Sequence, residues 1–241
     1  MAYRQIIGYS GHMSGKQSVI DQIVFHSTVS PCVPGGALNN ARWFQNPNSG
    51  GLAHYVVDPV EVIQCCPDDV VCWHAPPNPR KIGIELCDWS QGDPNRWNDY
   101  GHKRMLKLAR VLAHELAHTH NVPLVYVDAA DLRVNKRGFT THYEVSQAFH
   151  QSDHTDPGPG FAPTMKYLLS TDAVAVVSPR VTNPHANGSI AWIQWAAGAV
   201  DDGISGPKTL DAVRNFQRRH GLVVDGIVGP KTHEAMSKVT R

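Results

Sequence analysis

The stretch Lys81-Ile82-Gly83-Ile84-Glu85-Leu86 decides the fold class, because its isoleucines and leucine alternate with a glycine and a glutamate. Alternation with a period of two residues is typical of a β-strand. Outward from it, residues 23–25 (IVF) and 55–57 (YVV) are runs of β-branched and aromatic residues, and residues 60–63 follow closely. These runs predict further strands, so we expect a β-sheet in the first part of the chain.

The pattern becomes helical from His102 to His120. Apolar side chains fall on one stripe of that helix: Met105, Leu108, Ala109, Leu112 and Leu116. A stripe of this kind packs a helix against a sheet. Residues 124–127 then predict another strand, and residues 163–169 predict a short helix after a Gly/Pro-rich segment. The predicted fold class is mixed α/β, with a central β-sheet flanked by helices, over residues 1–172.

The rest of the chain contains a linker and an internal repeat. Residues 173–187 include two prolines and two asparagines and predict a semi-extended linker. Within residues 188–241, the octapeptide DGISGPKT at 202–209 recurs as DGIVGPKT at 225–232, which is 23 residues later. In each copy a glycine-containing turn leads into a helix that starts with proline and threonine. The repeat therefore predicts a small C-terminal domain of two turn–helix units.

The composition argues against two classes of protein. The chain has 241 residues with 41% hydrophobic content, enough for one full-sized core and a small satellite domain. A net charge of +1 argues against a nucleic-acid binder. No run reaches the roughly 18 apolar residues of a membrane span, so we expect no membrane insertion. The N-terminal residues lack the apolar region of a secretory signal, so we expect synthesis in the cytoplasm without export by that route.

The five cysteines do not form a paired CxxC zinc motif. An odd number of cysteines, in a chain expected to be made in the cytoplasm, indicates mostly reduced and buried thiols. A bridge from Cys65 or Cys66 to Cys72 stays open as an alternative.

The pentapeptide at 114–118 (HELAH) matches the HExxH signature of zinc metalloproteases. Two histidines four residues apart share one face of a helix and can bind one zinc ion. At roughly 100° per residue, however, His114 and His118 point away from the apolar stripe. They share their face with Lys103, Lys107 and Arg110. We therefore expect surface histidines on a solvated basic face, with a metalloprotease as the minor alternative.

Three other segments carry residues suited to metal-dependent hydrolysis. His26 ends the first strand, Glu85 is a lone carboxylate in an apolar strand, and a third segment contains His142, His154 and Asp156. A zinc hydrolase needs three protein ligands, an open fourth position and a nearby general base. These segments offer such a set, but they lie far apart in the chain, so their spacing alone is weak evidence.

Five motifs in order resemble the type 2 N-acetylmuramoyl-L-alanine amidases: IVFHST (23–28), LAHYVVD (52–58), WHAPPNPRKIGIEL (73–86), THYEVS (141–146) and HTDPGPGF (154–161). The resemblance covers roughly residues 20–170 and implies hydrolysis of the amide between N-acetylmuramic acid and L-alanine of peptidoglycan. It also implies that His26, His142 and Asp156 bind a Zn²⁺ cofactor. Glu85 would be the base that takes a proton from the attacking water.

Other implied roles differ among members of this family. His154 occupies the position of a lysine that stabilises the oxyanion in many members, while others carry histidine there. Some members have a catalytic tyrosine where this chain has Ala53, which assigns the chain to the subgroup that relies on the glutamate of the third motif. His54, Trp73 and His74 are the expected substrate-binding residues, with packing in the fold as the alternative for each.

The C-terminal repeat resembles the type 1 peptidoglycan-binding domain, a small three-helix fold. The resemblance covers about residues 188–239 and rests on the two DGIxGPKT turns and on AVRNFQ at 212–217. It implies attachment to peptidoglycan, which raises the concentration of the catalytic domain at its substrate.

The two resemblances together predict a monomeric, cell-wall-lytic endolysin whose partner is peptidoglycan. A wall hydrolase without a secretory signal indicates a phage lysin, which acts on the wall after release through a separate membrane hole. Two alternatives stay open, a non-catalytic peptidoglycan recognition protein and the HExxH metalloprotease. The complete set of implied ligands and base argues against the first of them.

Overall fold

The computed structural model describes residues 3–89, 93–158, 160–171, 190–199 and 207–239. Its strands are β1 Arg4–Gln5, β2 Met13–Lys16, β3 Gln22–Ser27, β4 Tyr55–Val57, β5 Val62–Gln64, β6 Val70–Cys72, β7 Lys81–Leu86 and β8 Gly138–Thr141. Its α-helices are α1 Gly36–Trp43, α2 Tyr100–Thr119, α3 Ala129–Arg133, α4 His142–Phe149, α5 Phe161–Leu169, α6 Ile190–Ala197, α7 Pro207–Arg219 and α8 Pro230–Ser237. Short 3-10 helices span Ser10–His12, Pro47–Ser49 and Pro94–Asn98. None of the helices in the described ranges has the length and apolar character needed to cross a membrane.

A six-stranded sheet forms the centre of the first domain, in the order β1-β5-β4-β7-β3-β8. Neighbouring strands are parallel except for β4 and β5, which are antiparallel. A separate antiparallel pair consists of β2 and β6. The predicted strands at 23–25, 55–57, 60–63 and 82–86 are confirmed, with β5 beginning at Val62. The prediction of a mixed α/β fold with a helix-flanked sheet is also confirmed.

The two faces of the sheet have different coverings, because successive side chains of a strand point to opposite sides. Ile23 and Phe25 of β3 belong to the main core, together with the buried apolar stripe of α2. Val24 points the other way and packs in a smaller cluster with Leu132 of α3 and Val145 of α4. The residue after Phe25, His26, therefore faces the side covered by α3 and α4.

One strand prediction is wrong. Residues 124–127 form no strand, and their Tyr126 makes a single parallel bridge to Phe139. The strand next to β3 is β8 instead. Its sequence, Gly-Phe-Thr-Thr, contains one large apolar residue and has no alternation long enough to predict a strand. The helix predicted over 163–169 is confirmed and begins two residues earlier, at Phe161.

The expectation of a solvated basic face on α2 is only partly correct. Lys103, Lys107 and His118 are exposed. Arg110 is buried, however, and donates to the Ser170 carbonyl at 2.8 Å. His114 is half-buried, and its Nε2 lies 3.2 Å from the Leu168 carbonyl. The difference arises because α5 and the residues after it pack across this side of α2, which the helix periodicity of α2 alone does not reveal.

The cysteines follow the alternative that the sequence left open. Cys66 and Cys72 form a disulfide, while Cys32, Cys65 and Cys87 are free thiols.

The described part of the C-terminal domain contains α6, α7 and α8. Their core includes Ile193, Phe216 and Met236. Helices α7 and α8 begin at Pro207 and Pro230, the prolines of the two repeat copies, so the repeat sets where both helices start. The predicted linker 173–187 and the first-copy turn at 202–206 lie outside the described residues.

The repeat also extends further back than its octapeptides. Gln194 of α6 donates through Nε2 to Thr209 Oγ1 at 2.9 Å, and Gln217 of α7 donates through Nε2 to Thr232 Oγ1 at 3.2 Å. Both members of the second pair lie 23 residues after those of the first. Each unit therefore begins on one helix and ends on the next, and α7 belongs to both units.

Candidate metal centre

Two neighbouring strands place a histidine beside a glutamate. In the parallel register of β3 and β7, His26 is paired with Glu85. Paired residues of adjacent strands project to the same face of a sheet, so both side chains leave the face that carries Val24. Gly83 leaves space on this face, since a Cβ there would lie 2.7 Å from the ring of His74.

Two more side chains, those of His142 and Asp156, lie beside His26, one at the start of α4 and one on the loop that follows it. His142 is the first residue of α4 and directly follows β8, the neighbour of β3. Thr141 caps the helix by accepting from the backbone amide of Glu144 at 3.3 Å. Asp156 lies on the loop after α4, and its carboxylate accepts from the backbone amide of Ser27 at 3.3 Å. Both side chains are therefore fixed near the end of β3.

The donor atoms of His26, His142 and Asp156 converge. The two Nδ1 atoms lie 3.1 Å apart, and the carboxylate oxygens of Asp156 lie 3.3 Å from His26 Nδ1 and 3.2 Å from His142 Nδ1. One donor atom from each residue lies within 4.8 Å of the other two, and all three residues are buried. The fold thus brings together the three residues that the resemblance implied as ligands.

Both histidines are oriented through their second ring nitrogen. His26 Nε2 lies 3.0 Å from His74 Nδ1, and His142 Nε2 lies 3.4 Å from Ser152 Oγ. Ser152 in turn lies 2.7 Å from Ser146 Oγ on α4. Histidines that bind metals usually have their other nitrogen fixed in this way. The sequence did not predict the contacts of His74 and Ser152 with the two rings.

The protonation states in the cluster suit metal binding. Burial alone would raise the pKa of Asp156, but hydrogen bonds from three histidine rings outweigh it and hold that pKa well below its usual value. Burial lowers the pKa of His142 to about 4, against the opposing hydrogen bond to Asp156. A carboxylate and a neutral imidazole are the forms in which these side chains bind a metal ion.

Glu85 has the properties of a proton acceptor. Burial raises its pKa to about 7, with the charge of His26 opposing the shift and that of Asp156 adding to it. Its Oε2 atom is shielded from solvent and has no hydrogen-bond partner within the described residues. Burying an unpaired carboxylate oxygen costs free energy, and a pKa near neutrality suits a group that takes up and releases a proton.

His154 lies at the exposed edge of the cluster. Its ring stacks on His142 with centroids 4.2 Å apart, and its Nδ1 lies 3.2 Å from the Asp156 carboxylate. That hydrogen bond raises the pKa of His154, against the effect of burial. The side chain is 58% exposed, so it can carry a positive charge where a substrate would approach.

The expected substrate contact of His54 is not compatible with its position. His54 is fully buried, its Nδ1 accepts from the Gly83 amide at 3.1 Å, and its Nε2 lies 2.9 Å from the Val70 carbonyl. The alternative, packing in the fold, fits this environment. Trp73 is 43% exposed and adjoins the site through His74, whose ring contacts His26.

His54 also belongs to a second group of donor atoms, with Cys66 and Cys72. The two cysteines are joined in the disulfide, and both ring nitrogens of His54 bond to the backbone, so this group is not available to a metal ion. Within the described residues, His114 and His118 of the HExxH motif belong to no group of potential metal ligands.

A large groove lies behind the loop that carries Asp156. It has a volume of about 1030 Å³ and is lined mainly by apolar residues of α5 and of the segment before α3. Thr155 and Pro157, the neighbours of Asp156, line it, but the metal-site residues themselves do not. The groove therefore adjoins this loop without including the three residues of the cluster.

Comparison with known proteins agrees with this arrangement. Residues 16–159 match the family described as N-acetylmuramoyl-L-alanine amidase, and residues 192–236 match the peptidoglycan binding domain family. The chain is similar to the N-acetylmuramoyl-L-alanine amidase CwlH of Bacillus subtilis (strain 168), with 28% identity over 217 residues that cover 81% of this chain and 80% of CwlH. It is also similar to the N-acetylmuramoyl-L-alanine amidase XlyA of the same organism, with 27% identity over 81% of this chain and 84% of XlyA.

A solved structure shares the fold. The Staphylococcus aureus hydrolase AmiA, in complex with its ligand, superposes with a TM-score of 0.50 at 20% identity, over 70% of this chain and 82% of that chain. The first family match spans more than half of the chain. The chain therefore belongs to the N-acetylmuramoyl-L-alanine amidase family, and a peptidoglycan binding domain follows its catalytic domain.

Proposed function

We propose that this chain is a zinc-dependent, cell-wall-lytic amidase that cleaves the bond between N-acetylmuramic acid and L-alanine of peptidoglycan. The convergence of the donor atoms of His26, His142 and Asp156 beside the unpaired carboxylate oxygen of Glu85 carries this proposal. Two imidazoles and one carboxylate are a donor set typical of catalytic zinc sites, which keep a fourth position open.

The cofactor would be held by these three side chains, with His74 and Ser152 orienting the two rings. When bound, zinc lowers the pKa of a coordinated water to about 7 and polarises carbonyl oxygens. The free Oε2 of Glu85 accepts the proton of the attacking water and returns it to the leaving L-alanine nitrogen. His154, whose pKa is raised by its hydrogen bond to Asp156, donates a hydrogen bond to the developing oxyanion, a contact whose loss typically costs about 10²–10³ in rate.

Trp73 is proposed to contact the substrate. Its half-exposed ring stands beside His12, with centroids 5.5 Å apart, and its indole N–H donates to Ser14 Oγ. A ring fixed in this way presents a rigid apolar surface to a sugar or peptide. His74 is proposed to orient His26.

The C-terminal domain is proposed to hold the enzyme on the polymer, as a monomer and without membrane insertion. The proposed domain limits are residues 1–172 and 188–241, joined by the linker 173–187. We further propose that the chain is an endolysin that acts on the cell wall after release.

The direct test is digestion of purified peptidoglycan with the full chain, with and without a chelator. We expect new L-alanine amino termini without new reducing sugar ends, loss of activity on chelation, and recovery on addition of Zn²⁺. New reducing ends, or activity that survives metal removal, would contradict the proposal.

Substitution of Glu85 separates the alternatives. Glu85→Gln is expected to lower the turnover rate by about 10²–10⁴-fold, the usual contribution of a general base, while binding to insoluble wall is kept. The matched control is Glu115→Gln, which changes the glutamate of the HExxH motif and should leave hydrolysis of peptidoglycan intact. Loss of activity in the control instead would support the metalloprotease. No hydrolysis by the unmodified chain would support a recognition protein.

A further inference from the structure

The 3-10 helix Pro94–Asn98, between β7 and α2, contacts the loop that carries Asp156. Its Arg96 donates through Nε and one terminal nitrogen to both carboxylate oxygens of Asp88, each at 2.8 Å. That terminal nitrogen also donates to the Pro157 carbonyl at 2.8 Å. Pro157 directly follows Asp156. One guanidinium thus connects the end of β7 to the residue next to a proposed metal ligand.

These bonds lie in a poorly solvated environment. The side chain of Arg96 is 10% exposed and that of Asp88 is 1% exposed. The guanidinium lies over the ring of Trp97, 4.5 Å from its centroid. A two-pronged arginine–carboxylate pair fixes direction as well as distance, because the planar fork allows one geometry. Asp88 is itself fixed by His102 of α2, whose Nε2 lies 2.9 Å away.

The same helix contacts the loop at a second point. A Cβ at Gly160 would overlap the carbonyl oxygen of Pro94, and φ at this glycine is +79°, so only glycine fits there. The ring of Trp97 packs on Phe161 with centroids 4.9 Å apart. The loop is therefore attached to the 3-10 helix on both sides of residues 158–159.

We propose that Arg96 is a positioning residue that holds the Asp156 carboxylate in place for metal binding. The inference rests on the proposed metal centre. Without the bond to its carbonyl, Pro157 loses its link to Asp88, and the position of Asp156 then depends on its contacts with Ser27, the histidine rings and the Tyr143 amide. The carboxylate, held by fewer contacts of its loop, then samples more positions, and the affinity for zinc falls.

The test is the zinc affinity of Arg96→Lys in the full chain, measured by competition with a chromogenic chelator. Lysine keeps the charge that Asp88 requires but cannot reach Asp88 and the Pro157 carbonyl in one fixed geometry. We expect the zinc Kd to rise by about 10–100-fold, as for other changes around metal ligands. The electronic absorption spectrum of the Co²⁺-substituted protein should change as well.

Arg137→Lys is the matched control. Like Arg96, Arg137 pairs with an aspartate, Asp21, and donates to the backbone, at the carbonyls of Ile20 and His120. It directly precedes β8, at the opposite end of that strand from His142. This substitution should lower the melting temperature to a similar degree while the zinc Kd stays within about twofold of the unmodified value, since no ligand contact changes.

The outcomes distinguish this inference from the proposed function. If the unmodified chain does not bind zinc, the proposed function fails. If it binds zinc and Arg96→Lys binds equally well, only the role of Arg96 is overturned, even where the variant melts earlier. Should Arg96→Lys not fold, the zinc affinity of Asp88→Asn is measured instead. Asparagine keeps an oxygen acceptor for Arg96 but weakens the arginine–carboxylate pair by removing the negative charge. An unchanged Kd in that variant likewise overturns the inference.

Discussion

His54 shows how a single buried residue is restricted to one protonation state. Its Nδ1 accepts a hydrogen bond from the Gly83 amide, and its Nε2 donates to the Val70 carbonyl. Only the neutral ring with its proton on Nε2 can do both. A second proton, on Nδ1, would point at the Gly83 N–H and remove this hydrogen bond. It would also place a positive charge in a fully buried position.

The pH dependence of stability follows from this state. Burial lowers the pKa of His54 to about 4, whereas an unfolded histidine titrates near 6.5. Between these values the unfolded chain binds a proton that the folded chain does not, so the free energy of unfolding falls as pH drops from 6.5 to 4. Below pH 4 the contribution of His54 to the free energy of unfolding no longer changes with pH. The slope should approach about 1.4 kcal/mol per pH unit.

Urea denaturation across this pH range measures that slope. Glutamine cannot titrate, so His54→Gln is expected to lower the slope of the free energy of unfolding against pH by the contribution of about one proton. This holds whatever the stability of the variant at neutral pH. Equal slopes in the two proteins would show that His54 is not the group responsible.

Some site residues could be predicted from the sequence and others could not. His26 and Glu85 stand out because each is a polar residue in an apolar strand, and the resemblance assigned their roles. The contacts of His74 and Ser152 were beyond prediction, because they depend on how a loop crosses Gly83 and how the chain returns after α4. Arg96 gave no signal either, since its partners become neighbours only in the folded chain.

At the scale of elements, the turn of the second repeat is organised by one glutamine. The side chain of Gln217 is buried, donates to Asp225 Oδ1 at 2.7 Å and to the Ile227 carbonyl at 2.8 Å, and accepts from the Gly226 amide at 2.8 Å. These bonds connect the end of α7 to the turn before α8. The octapeptide signals the turn, but the glutamine that fixes it lies outside that motif.

Gln217→Ala is expected to unfold the C-terminal domain. Each buried group left without a partner costs about 1–3 kcal/mol, and a domain of about 50 residues has little stability to lose. The variant should no longer sediment with insoluble peptidoglycan, while hydrolysis of a soluble muropeptide by the first domain stays unchanged. Asn215→Ala, at an exposed position of the same helix, should still sediment. Wall binding by Gln217→Ala would show that the turn is not needed.

Strand β8 is a strand that local sequence patterns did not predict. The apolar run in β3 and the alternating pattern in β7 were both recognisable, and both strands were predicted. β8 was missed because its place is set by tertiary contacts, with β3 on one side and residues 125–127 on the other. His142 owes its position beside His26 to this strand, so the site could not have been assembled from sequence periodicity.

At the scale of the whole molecule, the proposed metal connects distant parts of the chain. His26 lies near the start of the first domain and Asp156 near its end. A ligand that binds only the folded state stabilises it, by about 4 kcal/mol at a free concentration of 1,000 times its Kd. The metal should therefore stabilise the first domain as a whole.

Chelation is accordingly expected to lower the melting temperature of the first domain by roughly 10 °C. Calorimetry of the full chain, with zinc and with a chelator, measures the change, and the transition of the C-terminal domain should not move. Glu85→Gln should show the same shift, because Glu85 is not a proposed ligand, whereas His26→Ala should show none. A shift that persists in His26→Ala would place the ion elsewhere.

The sharing of α7 between two repeat units limits how this end of the protein can evolve. Because one helix closes the first unit and opens the second, neither unit can be deleted without removing a partner of the other. Lengthening requires insertion of a complete 23-residue step with its own glutamine, turn and threonine. A shorter insertion would rotate the glutamine by about 100° for each added residue and aim it away from its turn. Descendants of this domain should therefore differ in length by whole steps.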